Sequence, residues 1–131
     1  MTRWPWQLWW IAAFGAVGAA GGIGDWVFHR RFVAVGPKER RSHRLALYTG
    51  GVPMLGLMIA ATAFEARWLL IPIIGVALWT TALICYDEFV FHRQRCSTHE
   101  TWLHRMTVFG NGAAWLAWVH YCFVAEVPHV S

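Results

Sequence analysis

Four carboxylate–histidine pairs recur in the chain with one spacing: Asp25/His29, Glu39/His43, Glu88/His92 and Glu100/His104. Residues four apart on a helix share a face, their Cβ atoms about 5–6 Å apart, so each pair can offer an oxygen and a nitrogen in one direction. Carboxylate oxygen with imidazole nitrogen is the ligand set of iron, manganese, zinc, nickel and copper sites. Soluble helical bundles hold two irons with inward Glu side chains and Glu–His pairs at a spacing of three; the spacing of four departs from that pattern. Clustered carboxylates repel one another, and two divalent ions would neutralise four of them. The expectation is a di-metal centre with these eight residues as ligands. Iron is favoured by the carboxylate-rich set and by analogy with those bundles, and zinc or manganese stays open. Two neighbours extend the set. Asp87 can replace Glu88 as a ligand or hydrogen-bond a ligating imidazole, and His99 is either an extra ligand or an exposed loop residue.

The pairs belong to an internal repeat. Asp25-Trp26-Val27-Phe28-His29-Arg30 matches Glu88-Phe89-Val90-Phe91-His92-Arg93, and Glu39-x3-His43-Arg44 matches Glu100-x3-His104-Arg105. Tyr48 and Phe109 follow five positions after His43 and His104, and Gly51 and Gly112 follow eight positions after them.

Uncharged segments must position these pairs. Residues 4–24, 45–64, 68–86 and 106–125 contain no Asp, Glu, Lys or Arg and cover 80 of the 131 residues, in a chain 57% hydrophobic and 14% charged. A helix of about 20 mostly apolar residues crosses a hydrocarbon core, and one domain of this length cannot hide four such segments from water. A water-soluble enzyme, a secreted disulfide scaffold and a disordered tail are excluded. The expected fold is all-α: a single transmembrane four-helix bundle over residues 1–131, made of two repeated helical hairpins, with spans at about 4–28, 44–64, 68–91 and 103–125. Glu65-Ala66-Arg67 leaves room only for a tight antiparallel hairpin between the second and third spans. Pro53 and Pro72 kink or cap their spans, and Gly18 with Gly22 forms a small-xxx-small face for close helix approach. Both copies of the repeat run in the same sense, so a rough twofold along the membrane normal relates them and brings the four pairs to one depth.

Nine of the eleven cations (Arg30, Arg31, Lys38, Arg40, Arg41, Arg44, Arg93, Arg95 and Arg105) lie in the connections after the first and third spans, with Arg3 and Arg67 opposite. Cations concentrate on cytoplasmic loops, so the reading is a multi-pass protein of a bacterial inner membrane with both termini outside. The net charge of +4 is thereby an orientation signal and not a nucleic-acid patch, since no aromatic-interleaved basic helix stands free of the membrane. Trp4, Trp6, Trp9 and Trp10 read as an aromatic belt at the outer interface, and the uncharged run there is longer than the apolar region of a usual signal peptide. Cys85, Cys96 and Cys122 form neither an even framework nor a CxxC pair, so no disulfide or zinc knuckle is expected. His120 lies sixteen residues beyond His104, about 24 Å along a helix, and reads as an outer-side polar residue.

The order Gly24-Asp25-Trp26-x2-His29-Arg30, Lys38-Glu39-x3-His43, Gly51-Val52-Pro53, Tyr86-Asp87 and Glu100-x3-His104 resembles a group of small bacterial multi-span membrane proteins whose activity is uncharacterised. The likeness runs from Gly24 to His104 and implies a polar site among helical spans without naming a reaction. The chain departs from that group in carrying His92 and in lacking a His-Glu pair within the third span.

The leading functional expectation is a metal-dependent membrane oxidoreductase or oxygenase, with a lipid-soluble substrate or quinone reaching a site near the inner leaflet of the bilayer. A second class is a b-type haem electron-transfer protein, with His43 and His104 clamping one iron. A third is a non-catalytic accessory subunit packed through its Gly/Trp-rich first span against a larger membrane complex or another copy of itself. The plainest alternative binds no metal and leaves the acids salt-bridged to the surrounding cations at an aqueous interface.

Overall fold

The computed structural model describes residues 5–32, 36–92 and 97–125, apart from the side chains at 39, 91 and 92. The elements among them are helical: α1 (Trp6–Phe32), α2 (Pro37–Ala46), α3 (Val52–Phe64), α4 (Leu70–Asp87) and α5 (Thr98–Val119). A π turn at Leu47–Gly51 carries α2 into α3, a 3-10 turn at Arg67–Leu69 opens α4, and π turns at Glu88–His92 and His120–Val124 extend α4 and α5. Four continuous helices result among the described residues, matching the four uncharged runs. Three of them, over Trp6–Phe32, Arg40–Phe64 and Arg67–Val90, are long and apolar enough to cross a hydrocarbon core. The fourth falls short of that description. No charge interrupts residues 106–125, but Thr107, Gly110, Asn111, Gly112 and His120 dilute the apolar character of α5 and its extension.

Local chemistry sets the boundaries. Pro37 and Pro72 sit in the first turns of α2 and α4, where a missing N–H breaks no helical bond. Pro53 would collide with the Thr49 carbonyl in an unbroken α-helix, and the π turn Leu47–Gly51 lies where that collision would fall. Glu65 ends α3 in the left-handed region (φ 49°, ψ 32°), and the chain enters α4 within the next few residues, the tight reversal expected from the short link. The hydroxyls of Thr62, Thr80, Thr81 and Thr107 each donate to the carbonyl four residues earlier, at 2.8–2.9 Å. Their polarity is thus spent inside their own helices.

The helices sort into two compact units: the described residues of Met1–Val33 with Ser97–Ser131, and those of Ala34–Cys96. The first therefore joins α1 to α5, and the second joins α2 and α3 to α4, so each unit draws one helix from each copy of the repeat. In the first unit, contacts descend α5 as they climb α1, which makes the pair antiparallel. A Cβ on Gly21 would stand 2.6 Å from the Thr107 backbone nitrogen, one on Gly18 would fall on Asn111, and one on Gly110 would fall on the Gly18 backbone. The close seam therefore sets Gly18 against Gly110 and Asn111, and Gly21 against Thr107. Gly22, expected as the partner of Gly18, is rotated off it, since a Cβ there would reach only ordinary contact with the Thr107 side chain at 3.9 Å. In the second unit, a Cβ on Gly50 would fall on Thr80, and the Trp79 indole donates to Thr49 Oγ1 at 2.8 Å. Ala117 and Trp118 are buried in the first unit, and Ala61, Leu69 and fully enclosed Ile73 in the second. Most large apolar side chains point outward, among them Trp9, Phe64, Trp68, Ile71 and Phe109.

Candidate metal centre

The last turns of α1 carry Asp25 and His29, and the first turns of α5 carry Glu100 and His104. A capping box fixes Glu100. Ser97 Oγ accepts from the Glu100 backbone N–H and Glu100 Oε2 accepts from the Ser97 N–H, both at 3.3 Å, which satisfies two donors at the helix start. The other oxygen, Oε1, faces α1 and stands 3.0 Å from His29 Nε2. Asp25 Oδ1 lies 3.2 Å from His29 Nδ1 and 3.1 Å from His104 Nε2. The two imidazoles are almost parallel, 6° apart with centroids separated by 6.4 Å. Ligand atoms of Asp25, Glu100 and His104 all fall within 4.8 Å of one another, and Glu100 is only 4% exposed.

These spacings suit a coordinated ion. Oxygen and nitrogen ligands lie roughly 2.0–2.2 Å from such an ion, so neighbouring ligand atoms at tetrahedral to octahedral angles stand about 2.8–3.6 Å apart. His29 adds a second argument. Its Nδ1 is 3.0 Å from the Asp25 carbonyl oxygen, an arrangement in which Nδ1–H donates and the Nε2 lone pair faces Glu100. Ligating histidines commonly anchor their other nitrogen to a carbonyl in this way. The neighbouring guanidinium groups are engaged on aromatic faces, Arg30 over Trp26 at 5.1 Å and Arg105 over Trp102 at 5.7 Å.

Of the residues singled out in the sequence, the first unit brings Asp25, His29, Glu100 and His104 together. The second unit brings His43 onto Asp87, with Nε2 and Oδ2 3.0 Å apart, while Glu88, one residue on, is exposed. The side chains of Glu39 and His92 lie outside the described residues. His99 is exposed with its ring against Phe28, centroids 5.5 Å apart. Two positioning residues escaped sequence reasoning. Ser97 begins an S-x-x-E capping signature, the sequence signal that marks the start of α5. Gln7, the lone amide of the first apolar run, is buried and its Nε2 lies 3.2 Å from His120 Nδ1 at the far end of the unit. The Trp6 ring packs on that imidazole at 5.2 Å. No family model, curated protein or solved structure matches the chain.

Proposed function

We propose that this chain is an integral membrane metalloprotein that binds a divalent transition-metal ion between the end of α1 and the start of α5. One observation carries the reading. Asp25, Glu100 and His104, drawn from two helices, converge within 4.8 Å, on helices that carry no other charge over residues 6–24 and 106–124. Two carboxylates balance one divalent ion, and the imidazoles supply neutral nitrogen ligands. The outward large apolar side chains fit a lipid surround, and hydroxyls satisfied within their own helices suit a medium without water.

Iron is the first candidate, with manganese or zinc next, and a bound iron supplies redox and Lewis-acid chemistry. The activity this supports is an oxidoreductase or oxygenase acting on a lipid-soluble compound, such as a quinone, that arrives through the bilayer. The chain's own part is to fix the charge with Asp25 and Glu100 and to orient His29 through the Asp25 carbonyl. Protein purified in detergent without added metal should carry a transition metal by elemental analysis. It should also lack a Soret band, which separates this reading from haem binding. A chain that is metal-free and takes up none of Fe2+, Mn2+ or Zn2+ would overturn the proposal.

The orientation is part of the proposal. Reporter fusions in the connections 38–43 and 93–99 should read cytoplasmic, and one after Ser131 external, because nine of eleven cations flank those connections. An external signal from either connection would place the site on the opposite face.

A further inference from the structure

The two units repeat one arrangement in different registers. In the first, Asp25 meets His104; seven residues before Asp25, Gly18 lies against Gly110, which follows His104 by six. In the second, Asp87 meets His43; seven residues before Asp87, Thr80 lies against Gly50, which follows His43 by seven. The second unit thus has one residue in excess between histidine and glycine, and the π turn Leu47–Gly51 occupies that interval. Another excess residue separates Asp87 from His92, five positions against the four between Asp25 and His29, and the π turn Glu88–His92 occupies that interval. A single π turn is how a helix takes in one extra residue without breaking. The structural counterpart of Asp25 is therefore Asp87, although Glu88 holds its place in the sequence repeat. Burial agrees, since the Asp87 side chain is 16% exposed and Glu88 is an exposed residue.

We propose that the second unit binds a divalent transition-metal ion of its own at Asp87 and His43, the structural counterparts of Asp25 and His104. The inference rests on the metal reading of the first unit and extends it to two ions per chain, one in each unit. The second site is the more open of the two, because the His43 side chain is 42% exposed against 20% for His104. Its ion should bind more weakly and exchange faster.

Titrating Co2+ into chelator-stripped, detergent-solubilised full-length protein tests this, with bound metal counted per chain after gel filtration. The wild type should take up two equivalents in two phases. His43→Ala and Asp87→Asn should each remove the weaker equivalent and keep the tighter one, whose retention shows that the chain is folded. Glu88→Gln should keep both. Unchanged uptake in both His43→Ala and Asp87→Asn, with loss on Glu100→Gln, would overturn the second site and leave the first intact. Loss of both equivalents from a folded His43→Ala protein would overturn its independence. Uptake of no Co2+ by the wild type would overturn both readings.

Discussion

Glu100→Gln should purify as a folded protein and yet lose the tighter metal ion. Glutamine keeps an oxygen that can accept from the Ser97 N–H, so the capping box at the start of α5 survives. What disappears is one of the two negative charges facing His29 and His104. Loss of a hydrogen-bonding partner outside the ligands of a metal site costs about 10–100-fold in affinity, so loss of a charged ligand should exceed that range. His104→Ala should act similarly by deleting a nitrogen ligand. Glu100→Ala removes the ligand and the side-chain half of the capping box while the Ser97 Oγ contact to the residue-100 N–H stays, so it should add a loss of helix stability smaller than the ~1 kcal/mol of a lost N-cap. His120→Ala should leave metal content untouched, because that ring is hydrogen-bonded to Gln7 at the other end of the unit. The measurement is metal affinity beside helical circular dichroism. A folded Glu100→Gln protein with wild-type affinity would refute the site.

Gly110→Leu should abolish the first unit's packing, while Gly112→Leu, two residues away, should not. A Cβ at Gly110 falls on the backbone of Gly18 and on the Phe14 carbonyl, whereas one at Gly112 meets nothing within 4 Å. Overpacking a core costs about 1–3 kcal/mol where side chains can shift. Backbone cannot move aside without separating the helices, so the whole α1–α5 seam should open. Because that seam aligns Asp25 with His104, metal binding should fall along with stability. Thermal melting and size-exclusion behaviour of the two variants provide the comparison. Equal stability would show that the helices do not approach through this glycine.

Much of the helical framework was legible in the sequence because charge marks it so sharply. The uncharged run between Arg44 and Glu65 lies within one continuous helix, although that helix starts earlier at Pro37, and the Glu65–Arg67 link permits only a reversal. The facing of Asp25 and His29 was legible too, since a spacing of four fixes it whatever surrounds the helix. Helix partnership was not. Segments apolar all round have no polar face to point away from a neighbour, so nothing in residues 6–24 announces α5 as the partner. Gly22 looked as good as Gly21 because a pattern of small residues does not say how far a helix is rotated. Asp87 was ranked behind Glu88 for a related reason. The repeat aligns by residue count, and π turns alter the count per turn without leaving a mark in composition.

The Gln7–His120 contact and the Asp25 cluster sit eighteen residues apart along α1, about 27 Å, close to the roughly 30 Å thickness of a hydrocarbon core. Between them, Gly18 and Gly21 press on Gly110 and Thr107. The proposed orientation puts the cluster at the cytoplasmic end of this unit, so a proton exchanged there with the cytoplasm would enter and leave on one face. A charge crossing a membrane exchanges about 2.3 kcal/mol per 100 mV with the field. One that enters and departs on a single face exchanges almost none. Proton exchange of that kind at the proposed site would be electrically silent, neither driven by the membrane potential nor contributing to it.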